Sequence, residues 1–151
     1  MSAIGTLTTH HVGINVTDLE RSLAFYADVL GFEVLGRGAE GESGYAFLGR
    51  DGNLVLTLWQ QAEGAYDSGR PGLHHLAFEA ESVDRVRAAE AALTACGTAF
   101  AYEGLVAHRE GAAAGGIFFH DPDGTRLEIS VPKGAETAPA PSGTAPACGF
   151  F

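Results

Sequence analysis

The sequence predicts an α+β protein built from two copies of one unit, each a strand, a helix and three further strands. The main observation is a repeat, because residues 10–16 return as residues 74–80, displaced by 64 positions. Each copy begins with two histidines and alternates its side chains with the period of two of a strand that buries one face. An amphipathic helix pattern follows each copy. A repeat of this length indicates a duplicated supersecondary unit.

The first unit is expected over about residues 8–59. Its opening strand, 8–16, is followed by Thr17 and Glu20, which predict a capping box with Thr17 as N-cap. The apolar stripe of the helix ends before Gly31, a typical C′ residue. Glycine turns separate three short predicted strands, at 32–35, 44–48 and 54–59, and the last is entered through Asp51-Gly52.

The second unit, about residues 73–131, repeats this order. A strand at 73–80 precedes Ser82, the predicted N-cap of a helix that ends at Gly97. We expect the glycine-rich linking segment 103–116 to form a mobile loop over a site. The remaining predicted strands lie at 99–102, 115–119 and 125–131.

The chain therefore divides into a single domain, residues 1–131, and a Pro/Ala segment, defined as residues 132–151. This segment holds four of the six prolines and should be extended or disordered. Its two aromatic residues, Phe150 and Phe151, are expected to pack on a neighbouring subunit or at the mouth of a site.

Composition excludes several functions. The formal charge of −10 and the absence of any Lys/Arg cluster disfavour nucleic acid as a partner. No apolar run approaches the roughly 20 residues of a membrane span. Cys96 and Cys148 fit no metal or redox spacing. We therefore expect a cytoplasmic protein with reduced thiols that acts on a small molecule.

Three ionisable residues lie on the strand faces turned away from the helices. His11 and His75 occupy the same place in the two repeats. We interpret this pair of imidazoles as the start of a metal site. The turn 121–124 makes a hairpin, and the outgoing strand places Glu128 opposite the apolar face of Leu127. A carboxylate there needs a partner, because an unpaired buried charge is costly.

These motifs resemble the vicinal oxygen chelate superfamily. The pattern His-x-x-x-x-Val-x-Asp-Leu starts at His11, His-x-Ala-Phe starts at His75, and Asp-Pro-Asp-Gly-x-x-x-Glu ends at Glu128. That superfamily includes glyoxalase I, extradiol dioxygenases, fosfomycin-resistance enzymes and metal-free bleomycin-resistance proteins. The resemblance implies a curled mixed sheet whose cup holds a divalent metal on His11, His75 and Glu128. It also implies a homodimer.

The donor set agrees with that implication. Two imidazoles and a carboxylate suit Fe(II), Mn(II), Co(II), Ni(II) or Zn(II) and leave positions open for two adjacent substrate oxygens. Glyoxalase I has a fourth ligand from the first unit, where this sequence offers Leu56 or Thr57, and the strand faces favour Thr57. Neither is a good ligand. A dioxygenase-like enzyme with three ligands is therefore favoured over a strict glyoxalase I.

The remaining site residues follow from the strand faces and from the available acids and bases. Glu128 could act as the base, and His108 and Tyr102 are the candidates for handling protons. The expected substrate pocket is lined by Asn15, Thr57, Trp59 and Glu79. Two alternatives stay open, namely a glyoxalase I-like lyase or isomerase, and a metal-free protein that binds a drug or metabolite. The presence of all three ligand-type residues favours the metalloenzyme.

Overall fold

The computed structural model describes residues 3–40, 43–149 and 151. The chain forms two compact units, the first ending at Gly64 and the second running from Ala65 to Phe151. Each unit contains a mixed four-stranded sheet, and the predicted α+β fold of two βαβββ units is confirmed. No helix in the described ranges is long and apolar enough to cross a membrane.

The first unit has its strands in the order β1-β4-β3-β2. Strand β1 runs parallel to β4, and the other neighbours are antiparallel. A helix α1 follows β1 and continues as one stretch of π-helix, packing on β3 and β4. The elements are β1 (Val12–Asn15), α1 (Leu19–Leu23), the π-helical stretch (Ala24–Val29), β2 (Glu33–Glu40), β3 (Ser43–Arg50) and β4 (Asn53–Trp59).

The start of α1 corrects the expected capping box. Asp18, not Thr17, is the N-cap, and its Oδ1 accepts a hydrogen bond from the Arg21 amide at 3.0 Å. Thr17 instead accepts a hydrogen bond at its Oγ1 from Arg21 Nη2 at 2.8 Å. The sequence offers two adjacent capping residues, and the second one caps the N3 amide of the helix.

Two turns of the first unit form as predicted. Gly31 has a φ of +76° and closes the helical segment, a conformation that a side chain would strain. Asp51 and Gly52 have φ values of 50° and 73°, so the β3–β4 hairpin turns through two left-handed residues. That geometry matches the right-handed twist of the flanking strands.

The second unit repeats this topology, with strand order β5-β8-β7-β6 and β5 parallel to β8. Ser82 caps the helix as predicted, accepting a hydrogen bond from the Arg85 amide. The helix packs on β7 and β8. The elements are β5 (Leu76–Glu79), α2 (Val83–Ala95), β6 (Val106–Ala107), β7 (Gly115–His120) and β8 (Arg126–Val131).

The edge of the second sheet differs from the prediction. The expected strand 99–102 is reduced to one isolated bridge, between Phe100 and Phe119. Strand β6 lies instead at Val106–Ala107, inside the segment predicted as a mobile loop, and both residues are buried. The edge strand forms only at the two residues that pair with β7, where Val106 is opposite Gly116 and Ala107 is opposite Gly115. These glycines let the chain approach closely, because a Cβ on Gly115 would lie 2.4 Å from the Val106 carbonyl oxygen.

The opening strands are shorter than predicted, and both histidine pairs precede them. Leu76 pairs with Leu127, and β8 begins only one residue earlier, at Arg126. Residues before Leu76 therefore have almost no neighbouring strand with which to form backbone hydrogen bonds. The repeat nevertheless extends to the histidines. The Nδ1 atoms of His10 and His11 lie 2.7 Å apart, and those of His74 and His75 lie 2.8 Å apart.

The Pro/Ala segment is neither extended nor disordered in its described residues. Its backbone covers β6 and the residues around it, since Pro139 O accepts a hydrogen bond from the Ala107 amide at 2.8 Å. Ala135 and Ala147 are fully buried, and a short 3-10 turn, Ala147–Gly149, ends the described run. Small alanine side chains allow the backbone to lie close to the sheet edge, where unpaired amides need acceptors.

The corrected helix cap gives a direct test. Asp18→Ala should lower the free energy of unfolding by about 1 kcal/mol, because an amide in the first turn of α1 loses its acceptor. Asp18→Asn keeps a side-chain oxygen at that position and should stay close to wild type. Urea denaturation of the three proteins measures both effects, and an Asp18→Ala variant as stable as wild type would contradict the assignment.

Candidate metal centre

Glu128 is the central residue of the site and lies in the middle of the second sheet. On β8 it is opposite Ala77 of β5 and Phe118 of β7, and it is only 2% exposed. Its Oε1 accepts a hydrogen bond from His108 Nε2 at 2.5 Å, and its Oε2 lies 3.8 Å from His75 Nε2. Each carboxylate oxygen therefore faces a different imidazole.

His108 is held in place by its backbone. It follows β6 directly, its amide donates to the Ala114 carbonyl at 3.0 Å, and its own carbonyl accepts from the Ala147 amide at 2.8 Å. The ring packs edge-on against Phe118. A histidine predicted in a loop is thus fixed against the buried carboxylate.

His75 is half-buried just before β5. Burial lowers the pKa of His75, and the nearby His74 and Arg126 lower it further, whereas Glu128 acts in the opposite direction. The lowered pKa favours the neutral imidazole, which is the form that binds a metal. The environment of His75 therefore suits a ligand.

Cys148 lies beside these residues, although no feature of its sequence spacing predicted a site there. A ligand atom each from His75, Glu128 and Cys148 all lie within 4.8 Å of one another. Burial raises the pKa of the Cys148 thiol, and the charge of Glu128 adds to the shift. No spacing motif links Cys148 to the other two residues. The only signal was the aromatic Cys-Gly-Phe-Phe run after a stretch of small residues.

The residues present fit a divalent cation. Within the described residues, the ion-pair partners of the buried Glu128 are two imidazoles, and no Lys or Arg neutralises it. The carboxylate is closely packed on this side, since a Cβ on Gly116 would lie 2.7 Å from the Ile129 carbonyl oxygen and 3.0 Å from Glu128 Oε1. A cation with nitrogen and oxygen ligands would offset the cost of burying this charge.

His11 is the other predicted ligand, and Tyr102 is a predicted proton carrier. His11 belongs to the first unit, where it is exposed and paired with His10. Its role as a metal ligand stays a prediction. Tyr102 lies in the second unit, where its hydroxyl donates a hydrogen bond to the Ala147 carbonyl at 3.0 Å. This contact anchors the Pro/Ala segment, and a catalytic role for Tyr102 stays a prediction.

The expected pocket residues are divided between the two units. In the first unit, Thr57 is 3% exposed, and its Oγ1 accepts a hydrogen bond from Trp59 Nε1 at 3.0 Å. Asn15 Oδ1 accepts from the Gln61 amide at 2.9 Å. Glu79 lies in the second unit, exposed at the end of β5. Their role in substrate binding stays a prediction.

The ladder registers make Thr57 the counterpart of Glu128. Thr57 is opposite Gly13 on the parallel neighbour, just as Glu128 is opposite Ala77 in the second unit. A Cβ on Gly13 would lie 3.2 Å from Thr57 Oγ1, so the two share a face. Thr57, rather than Leu56, therefore occupies the position corresponding to the carboxylate, and its hydroxyl is already used by Trp59.

Phe151 contacts its own unit. Its ring packs on Phe118 at 4.9 Å between centroids and on His75 at 5.7 Å, and Arg126 lies over it at 5.6 Å. The contact with His75 brings the Pro/Ala segment to the candidate metal centre. Phe150, for which the same packing was expected, lies outside the described residues.

Comparison with known proteins identifies the family. A family model described as the Glyoxalase/Bleomycin resistance protein/Dioxygenase superfamily matches residues 8–129. The protein belongs to this superfamily, and the predicted resemblance is confirmed.

Curated relatives extend the comparison. The chain is 33% identical to YaeR of Escherichia coli over 134 residues, which is 83% of this chain and 97% of YaeR. It is 37% identical over 81 residues to YwkD of Bacillus subtilis and 29% identical over 133 residues to catechol-2,3-dioxygenase of the same organism. The match to YwkD covers 50% of this chain, and the match to the dioxygenase covers 84%. They span only 63% of YwkD and 43% of the dioxygenase.

Solved structures share the fold. A glyoxylase/bleomycin resistance protein/dioxygenase domain from Frankia sp. EAN1pec has a TM-score of 0.72 at 26% identity, covering 85% of this chain and 94% of that one. Glyoxalase I of Leishmania major has a TM-score of 0.60 at 25% identity, covering 82% and 86%. The fosfomycin resistance protein FosX of Listeria monocytogenes, complexed with Mn(II), has a TM-score of 0.60 at 20% identity, covering 82% and 91%.

The contact between His108 and Glu128 should be visible in stability. In chelator-treated protein, His108→Ala should lower the free energy of unfolding by about 1–3 kcal/mol, because a buried carboxylate oxygen loses its donor. His120→Ala removes a half-buried imidazole that bonds no carboxylate and serves as control. Urea denaturation compares the two, and equal losses would show that the hydrogen bond to Glu128 adds nothing.

Proposed function

We propose that the protein is a divalent-metal-dependent enzyme whose small substrate binds through two adjacent oxygens. The observation that carries this proposal is Glu128, a buried carboxylate whose two oxygens face the imidazoles of His75 and His108. An apolar sheet interior does not tolerate such a charge without compensation. A cation supplies that compensation, and His75 is placed to share it.

The residues of this chain would have separate tasks. His75 and Glu128 would hold the cation, which supplies Lewis-acid stabilisation of negative charge on substrate oxygens. His108 Nε2 donates to Glu128 Oε1, which fixes the orientation of the carboxylate. The proton on this imidazole is then available close to the substrate. The ring of Phe118 supports His108 from the side of the sheet.

Within this class, dioxygenase-like chemistry is favoured over that of glyoxalase I. The counterpart of Glu128 in the first unit is the uncharged Thr57, whose hydroxyl is bonded to Trp59. The fourth ligand expected of a strict glyoxalase I, a carboxylate, is therefore replaced by a poor ligand. The similarity to catechol-2,3-dioxygenase along 84% of this chain supports the same direction.

Metal content tests the proposal. Protein purified without chelator and dialysed against Fe(II) or Co(II) should retain close to one metal per chain, measured by inductively coupled plasma mass spectrometry. Glu128→Gln should weaken binding at least about tenfold, because it removes the anionic ligand while keeping the side-chain shape. Glu81→Gln, an exposed glutamate in the same unit, should bind like wild type.

A different result identifies the alternative. Wild-type protein that retains less than about a tenth of a metal per chain under these conditions would overturn the metalloenzyme proposal. It would favour a metal-free protein that sequesters a drug or metabolite.

Two assays separate the reactions. The metal-loaded protein should consume O₂ in the presence of catechols, followed with an oxygen electrode. It should turn over the hemithioacetal of methylglyoxal at least about tenfold more slowly, because its site lacks the carboxylate that serves as fourth ligand. The opposite preference would favour the glyoxalase I-like reaction.

The family resemblance supports two further proposals, namely that His11 is a metal ligand and that the protein is a homodimer. His11→Ala should reduce metal retention if His11 is a ligand, whereas His10→Ala, the neighbouring exposed histidine, should not. Light scattering of the purified protein tests the proposed homodimer. A measured mass equal to that of one chain would rule it out.

A further inference from the structure

We propose that Cys148 is a thiolate ligand of the same cation, so that the Pro/Ala segment supplies part of the metal centre. This inference rests on the proposed function, because it assigns a further ligand to the cation held by His75 and Glu128. It concerns a residue outside the stretch that the family model matches, residues 8–129. The inference would give the Pro/Ala segment a chemical role.

The geometry needs only a small adjustment. Ligand atoms of His75, Glu128 and Cys148 lie within 4.8 Å of one another, and His75 Nε2 is 3.8 Å from Glu128 Oε2. Around a tetrahedral ion with bonds of about 2.0–2.3 Å, neighbouring ligand atoms are about 3.5 Å apart. Closing the largest separation therefore requires about an ångström of side-chain movement, within reach of a cysteine rotamer change.

The chain on both sides of Cys148 is anchored to the second sheet. The preceding residue, Ala147, is fully buried, its amide donates to the His108 carbonyl, and its carbonyl accepts from Tyr102. On the other side, Phe151 packs on Phe118 and His75. Cys148 is therefore held at the centre by contacts that do not involve the thiol itself.

His108 links the two parts of the proposed centre. Its side chain fixes Glu128, and its backbone carbonyl fixes the residue before Cys148. A shift of either ligand would disturb this one residue. The placement of the cysteine therefore depends on the same element that orients the carboxylate.

The donor set has a chemical consequence. On binding, the Cys148 thiol releases its proton to solvent and a sulfur lone pair forms the bond to the metal, with no change of oxidation state. Thiolate with imidazole and carboxylate favours Zn(II), Co(II) or Fe(II) over Mg(II) and Mn(II), which prefer oxygen ligands. The centre should then discriminate among these metals more strongly than one made of nitrogen and oxygen alone.

The chain provides a matched control. Cys96 is an exposed free cysteine at the end of α2, in the same unit as Cys148. It reports general thiol chemistry in the same protein. Any metal effect on Cys148 that Cys96 does not share must come from the local site.

Co(II) titration of the full chain tests the inference. Wild type and Cys96→Ser should both bind Co(II) and develop sulfur-to-cobalt charge-transfer absorption in the near ultraviolet. Cys148→Ser should lose this absorption and bind Co(II) at least about tenfold more weakly, while Glu128→Gln should bind little cobalt.

The outcomes separate the inference from the proposed function. Wild-type protein that binds one Co(II) without the charge-transfer absorption overturns the role of Cys148 and leaves the proposed function intact. Wild-type protein that binds no Co(II), Zn(II), Mn(II) or Fe(II) overturns both.

A second measurement avoids the variants in case Cys148→Ser does not fold. Wild-type protein is alkylated with and without Zn(II), and each cysteine is followed by mass spectrometry. Zn(II) should slow alkylation of Cys148 at least about tenfold, because a coordinated thiolate is a weaker nucleophile, while Cys96 is unaffected. Equal rates for Cys148 with and without bound Zn(II) overturn the inference.

Discussion

The burial of one carboxylate constrains the whole second unit. Glu128 lies on a central strand between apolar neighbours, Leu127 and Ile129, and is almost inaccessible to solvent. Removing a charge from water costs several kcal/mol even after relaxation of the surroundings. Favourable interactions close to the carboxylate must therefore offset most of that cost. His75 and His108 each face one oxygen of the carboxylate. Because β6 positions His108, the placement of this strand contributes to stabilising the buried carboxylate.

The duplication shows how one scaffold can carry two different interiors. The two ladders share the same register, so Thr57 and Glu128 are equivalent, as are Phe47 and Phe118 beside them. In the first unit the polar group is a neutral hydroxyl bonded to an indole, which leaves no charge to compensate. In the second unit it is an anion. The two halves have kept their backbone pattern and differ in electrostatics.

Local patterns predicted most of the backbone. Helix α2, its Ser82 cap and the Asp51-Gly52 hairpin depend on near neighbours, so sequence periodicity and turn chemistry were sufficient to identify them. The predictions for β6 and the Pro/Ala segment were wrong because their interactions are long-range. No residue near Ala107 indicates that its amide will bond to Pro139.

The site was predictable to a similar extent. His75 and Glu128 stand in recognisable motifs, and the structure brings them together. Cys148 could not be found in this way, because its neighbours along the chain carry no ligand spacing and its position depends on the folding of alanine- and proline-rich backbone over the sheet. His11 belongs to the first unit, and its assignment depends on the internal repeat and on the family resemblance.

The covering of β6 by the Pro/Ala segment also bears on solubility. An edge strand with free amides can recruit a strand from another molecule, and β6 is the terminal strand of its sheet. Here Pro139 occupies the Ala107 amide, and a proline has no N–H of its own with which to continue the ladder. The same stretch that brings Cys148 to the centre thus covers the β6 edge of the sheet against pairing with a strand from another molecule.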